Sequence, residues 1–91
     1  MSSRLNLLLI TYDLNNPEHA YQGLFTVLQV SGARQILSSV WVVIILSSVV
    51  DLRDALQDLL YPKDRLLVVN VNDCSSWNSM CDINEIWPLH G

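Results

Sequence analysis

The sequence predicts an α+β domain, on three observations. Four short runs, residues 5–12, 33–38, 40–46 and 65–71, carry the aliphatic and β-branched residues of strands. Between them, two segments repeat apolar residues at helical spacing. Hydrophobic types make up 51% of the 91 residues and charged types 15%, below the ~25% usual for a soluble domain. That balance excludes a disordered tail, which is charge-rich and poor in aliphatics. With two Cys, a disulfide-stapled miniature fold is excluded as well.

The first run, residues 5–12, is short, apolar and unbroken, which suits a buried strand better than a helix. It ends at Asp13, Leu14, Asn15, Asn16 and Pro17, where Asn16 makes a good N-cap and Pro17 a good first helical residue. Tyr21, Leu24, Phe25 and Leu28 follow at helical spacing, and Gly32 is a natural C-terminal stop. Residues 33–38 and 40–46 read as two tightly joined strands, the second rich in Val and Ile. Ser48 with Asp51 three residues on opens a second helix in the manner of a capping box. Its apolar line is Val49, Leu52, Leu56, Leu59 and Leu60, and Tyr61, Pro62, Lys63 and Asp64 break it. The run 65–71 is the last strand. The order is β-α-β-β-α-β, the ferredoxin-like arrangement, with both helices on one face of an antiparallel sheet. Residues 1–72 form this core and 73–91 a C-terminal extension, in which Asp82 and Glu85 can cap one or two helical turns ending at Pro88.

A sheet with one free face should alternate apolar and polar residues. The run 40–46 does not: Trp41, Val43 and Ile45 point one way, and Val42, Ile44 and Leu46 the other. Leu7 and Leu9 oppose Leu8 and Ile10 in the same way. Both faces are therefore greasy near the sheet centre, and either the extension or a second copy of the chain must cover the second one. A symmetric homodimer is expected, with Trp41, Val43 and Ile45 at its interface; a core position is the alternative for Trp41.

The net charge of −4 is uneven. Residues 1–45 balance Arg4 and Arg34 against Asp13 and Glu18, so the excess of acid falls in residues 46–91. No basic run exists, and the electrostatic footprint of a general nucleic-acid binder is missing. The longest uncharged stretch, residues 35–50, is broken by Ser38, Ser39, Ser47 and Ser48 and falls short of the ~20 apolar residues of a membrane helix. No signal-peptide pattern is read at the N-terminus. A cytoplasmic location with both Cys reduced is the expectation.

Several motifs carry a family resemblance. Leu8, Ile10, Thr11, Tyr12, Asp13 and Leu14 resemble the first-strand motif of the small ferredoxin-like nucleases of CRISPR adaptation, where an apolar strand ends in Tyr-Asp. Gly32, Ala33, Arg34 and Gln35, followed by Ser39, Val40 and Trp41, are similar to that family's second motif. Asp64, Arg65, Leu66, Leu67, Val68 and Val69 look like its last core strand. A nearer resemblance is to short bacterial and phage SinR-like proteins, whose tail Trp77 and Trp87 match loosely. It covers residues 5–72 by pattern and order. It implies a symmetric dimer and, in the nuclease members and the related virulence-associated ribonuclease toxins, a metal-dependent phosphodiesterase of bacterial or phage defence. In those members the Asp ending the first strand is the metal ligand, and Asp13 matches it. A carboxylate facing its symmetry mate could hold one Mg²⁺ with waters left to attack a phosphodiester of RNA or DNA. Arg34 matches the motif's Arg, near phosphate, and Tyr12 and Ser39 would line the substrate site. This sequence departs from the pattern in lacking the basic residues that hold a phosphate backbone. The bland alternative for Asp13 is a solvated turn residue.

Asp51, Asp54 and Asp58 form one stripe of the second helix: a solvated face, or an acidic surface for a basic partner. Cys74, Cys81 and His90 match no compact zinc spacing, and the Cys are expected to be structural or incidental thiols. His19 has no catalytic motif around it, and Gly23, Gly32 and Gly91 are too scattered for a phosphate-cradling loop. Two function classes follow: a metal-dependent endonuclease built on Asp13 and Arg34, or a non-enzymatic dimeric module that regulates, inhibits or adapts a nucleic-acid-handling complex through acidic and apolar surface.

Overall fold

The computed structural model describes residues 5–15, 21–71 and 78–80. The elements run β1 (Asn6–Asp13), α1 (Gln22–Val30), β2 (Arg34–Leu37), β3 (Val40–Ile45), α2 (Val49–Gln57) and β4 (Arg65–Asn70). The strands form one antiparallel sheet in the order β2-β3-β1-β4. Four antiparallel strands with two helices on one face are an α+β architecture compatible with a small ferredoxin-like fold. Asn16 and Pro17, expected to open the first helix, lie outside the described residues, and α1 starts later than expected, at Gln22, because the left-handed Tyr21 cannot be part of it. The expected turns around Asp82, Glu85 and Pro88 also lie outside the described residues.

Helix α1 begins at Gln22 behind Tyr21, a non-glycine residue in the left-handed region (φ 51°, ψ 32°). Asp64 supports that conformation, since the Tyr21 hydroxyl donates to its Oδ1 at 2.8 Å. The helix ends as the sequence predicts. Gly32 takes φ 86°, Ala33 N donates to Leu28 O at 2.9 Å and Gly32 N to Gln29 O at 3.1 Å. These are the paired bonds of a Schellman stop, with Ala33 and Leu28 buried together in the core behind it. Helix α2 begins at Ser48, whose side chain accepts from Asp51 N at 3.1 Å. It ends before a turn in which Asp64 N donates to Tyr61 O at 2.9 Å with Pro62 at the position that favours its fixed φ.

The core has two halves, one on each side of the sheet. Under the helices, Leu8, Ile10, Trp41 and Val43 meet Leu24, Leu28, Leu52 and Leu56. Removing each such aliphatic side chain from water contributes about 2 kcal/mol. This corrects the expectation for Trp41, Val43 and Ile45. Trp41 and Val43 are 6% and 1% exposed inside the chain's own core, and Ile45 packs against the same cluster, so this set faces α1 and α2 rather than the open side. The period of two along β3 sends Val40, Val42 and Ile44 to the far side instead.

On that far side, Leu7, Ile36 and Val42 are buried and Leu9, Val40, Ile44 and Val71 pack around them. Residues 78–80 reach this end of the sheet, where Met80 N donates to Ile36 O at 2.9 Å on the outer edge of β2. The far face is thus split. Its β2-β3 half is covered, while Leu67 and Val69 on β4 stand 56% and 39% exposed.

Candidate functional site

Asp13 closes β1 and pairs in register with Arg65, the first residue of β4. Its Oδ2 lies 4.0 Å from Arg65 Nη1, and both side chains are mostly in solvent, at 77% and 83% exposure. A pair so exposed contributes little to stability. With Thr11, Tyr12, Leu66 and Leu67, the two line an open hollow of about 200 Å³. Arg65 is the cation that the sequence reading missed. Only the register of β1 against β4 brings it beside Asp13, since 52 positions separate them in the chain.

The structure does not bring Arg34 to that hollow. Arg34 pairs with Val42, and Val42 with Leu9, so Arg34 sits two strands across and four residues along from Asp13. Strand spacing and rise put that at about 16 Å. Tyr12 lines the hollow's rim, but its side chain turns to the helix face, where Trp41 Nε1 donates to its hydroxyl at 3.0 Å. Its ring lies 6.2 Å from that of Phe25, which stacks on Trp41 at 6.4 Å. Ser39 is in the β2–β3 turn, at the same end of the sheet as Asp13 because Thr11 pairs with Val40. Its neighbour Ser38 joins Tyr12, Phe25, Gln29, Gln35 and Trp41 around an uncharged hollow of about 310 Å³.

Among the described residues, no three His, Cys, Asp or Glu side chains come together as a metal-binding group. Asp13 offers a single carboxylate, and the charged neighbour in its register is a guanidinium. Among the described residues of one chain, Asp13 is the one carboxylate lining this hollow, so any Mg²⁺ here would take its remaining ligands from water or substrate. Cys74, Cys81 and His90 lie outside the described residues.

The acidic stripe of α2 is displayed as expected. Asp51, Asp54 and Asp58 are all exposed. Arg53 clamps Asp54 through Nη2 at 2.8 Å and Nε at 3.1 Å. Behind the helix, Asp64 gathers three loops. Its Oδ1 accepts from Asn15 N at 2.7 Å and from the Tyr21 hydroxyl at 2.8 Å, and its Oδ2 from Tyr61 N at 2.8 Å. No helix among the described residues is long and apolar enough to cross a membrane. No protein-family model, no curated protein and no solved structure matches the chain.

Proposed function

We propose that the chain is a non-enzymatic interaction module that works as a homodimer with a ferredoxin-like core. Its acidic α2 face serves a basic partner, of the kind that the resemblance to CRISPR-adaptation proteins suggests: a protein of a nucleic-acid-handling complex. The observation that carries this reading is the display of Asp51, Asp54 and Asp58 along one exposed helix, with Arg53 as the cation at that surface. An acidic stripe of this kind steers a basic surface and fixes its register more than it adds raw affinity. The homodimer rests on the apolar residues left open on β4.

The test is binding of a fluorescent oligolysine peptide, followed by anisotropy at low and high salt. The parent chain should bind and weaken with salt. Asp54→Lys with Asp58→Lys should lose binding while keeping the circular dichroism of the fold. Asp82→Lys with Glu85→Lys, an equal change in net charge, should keep it. Equal loss in both pairs, or none in either, dismisses the acidic-face reading.

A second reading, the metal-dependent endonuclease, draws on Asp13, Thr11 and Arg65 around one open hollow. Labelled RNA and DNA, incubated with Mg²⁺, with Mn²⁺ and with EDTA, separate it from the first. Cleavage lost in Asp13→Ala and in EDTA supports it; equal cleavage by Asp13→Ala removes it.

A further inference from the structure

We infer that the open edge of β4 is where two copies of the chain join, by antiparallel pairing of β4 with itself about a twofold axis at Val68. This rests on the homodimer proposed above and specifies its contact.

The two edges of the sheet differ. Residue Met80 bonds to Ile36 O on the outer edge of β2, so the described part of the C-terminal segment lies there. At the other end of the strand order, β4 pairs with β1 on one side and, among the described residues, with nothing on the other. Val71 N donates to Leu7 O at 2.8 Å. In an antiparallel ladder, hydrogen-bonded pairs recur at every second residue. Val69, Leu67 and Arg65 therefore turn their backbone groups to β1, in register with Leu9, Thr11 and Asp13. The N–H and C=O groups of Leu66, Val68 and Asn70 point out from the sheet. Such a row is a template for another strand, and natural edges are usually blunted with Lys, Pro or a bulge. From Leu66 to Val69 this edge carries no charge and no Pro.

Both flanks of the edge are apolar. On the far face stand Leu67 and Val69. On the helix face, Val49, Val50 and Arg53 border an open hollow with Leu66, Leu67 and Val68, and Val50 is 48% exposed. At about 100° per residue, Val50, Arg53 and Gln57 form the α2 flank toward β4. Asp51 and Asp58 lie about 120° further round on the solvent side of the helix, with Asp54 between them and that flank. Among the described residues, the cation on the β4 flank, Arg53, is paired with Asp54. Along β4 a second copy therefore meets an apolar flank and one paired charge, with Asp51 and Asp58 turned to solvent.

The register follows. An axis at Val68 sets Leu66 opposite Asn70, and Val68 opposite its own mate, using every outward backbone group in about six new hydrogen bonds. Leu67 then meets Val69 of the second copy, twice, as non-hydrogen-bonded pairs whose side chains lie closest. The edge is self-complementary, as a twofold contact must be. It also holds the two Asp13 carboxylates about 25 Å apart by strand spacing and rise, too far to share one ion.

The test uses full-length chains with Cys74→Ser and Cys81→Ser. Under mild oxidation, a mixture of Leu67→Cys chains and Val69→Cys chains should form a disulfide dimer that neither forms alone, since such pairs suit disulfide geometry. Light scattering of the parent should give a dimer, and Leu67→Asp should raise its dissociation constant by at least about tenfold with unchanged circular dichroism. A cross-link in Leu67→Cys alone overturns the register. A dimer without any cross-link overturns the edge and leaves the homodimer standing. A monomer at micromolar concentration overturns both.

Discussion

Asp64 shows how much one side chain can hold. It sits in a turn that the sequence marks only as a helix breaker, yet it ties the loop after β1, the start of α1 and the α2–β4 turn. Asp64→Ala should cost about 3 kcal/mol, because three donors lose a charged acceptor, measured as a shift in the urea midpoint. Ser48 was legible, since a Ser before an apolar helical line needs no tertiary context to cap it. Ser48→Ala should cost about 1 kcal/mol in the same assay. Asp58 is the converse case. It stands at the C-terminal end of α2, where no basic residue meets the negative end of the helix dipole, and Asp58→Lys should stabilise by about 0.5 kcal/mol at low salt. Asp13 was legible as an exposed strand-end carboxylate. Its neighbour Arg65 was not, because that contact exists only through strand register.

At the scale of elements, all four strands and both helices were legible, since hydrophobic period and punctuation are local properties of the chain. What the period could not say was which side of β3 meets the helices. Trp41 and Val43 turned out to be roof contacts for α1 and α2, because a strand apolar on both sides carries no polar mark to orient it. The Gly32 stop was read correctly for a backbone reason, its left-handed φ of 86°. Gly32→Ala should lower stability by about 1 kcal/mol, visible as a lower thermal midpoint, although a Cβ there meets nothing within 4 Å. A loss that large without a clash would identify the cost as conformational.

Across the whole molecule, the sheet divides its two faces unequally. Leu7, on the side away from the helices, is as fully buried as Leu8 on the helix side, at 1% and 0%. Leu7→Ala and Leu8→Ala should therefore cost similar amounts, each about 2–5 kcal/mol. Leu67→Ala, on the open part of the same far face, should change the stability of a single chain by no more than about 0.5 kcal/mol. Denaturant melts of the three variants, run at a concentration where the chain is monomeric, check this. A mild effect at Leu7 would mean that the far face is not a true half-core.

The apolar excess of this composition has a definite place in the fold. By itself, the sequence determined the class, the element order, the Gly32 stop of α1 and the Ser48 start of α2, because propensity, period and turn chemistry act between near neighbours. The start of α1 at Gln22 depended on the left-handed Tyr21 and its bond to distant Asp64. It also determined that apolar surface exceeds what one helix layer can cover. Only the tertiary structure decided where that excess lies: Leu7, Ile36 and Val42 sealed within the chain, Leu67 and Val69 left open at one edge. It also separated Arg34 from Asp13 and put Arg65 in its place. These are matters of register and strand order, set by contacts between residues far apart in the chain, and no local pattern encodes them.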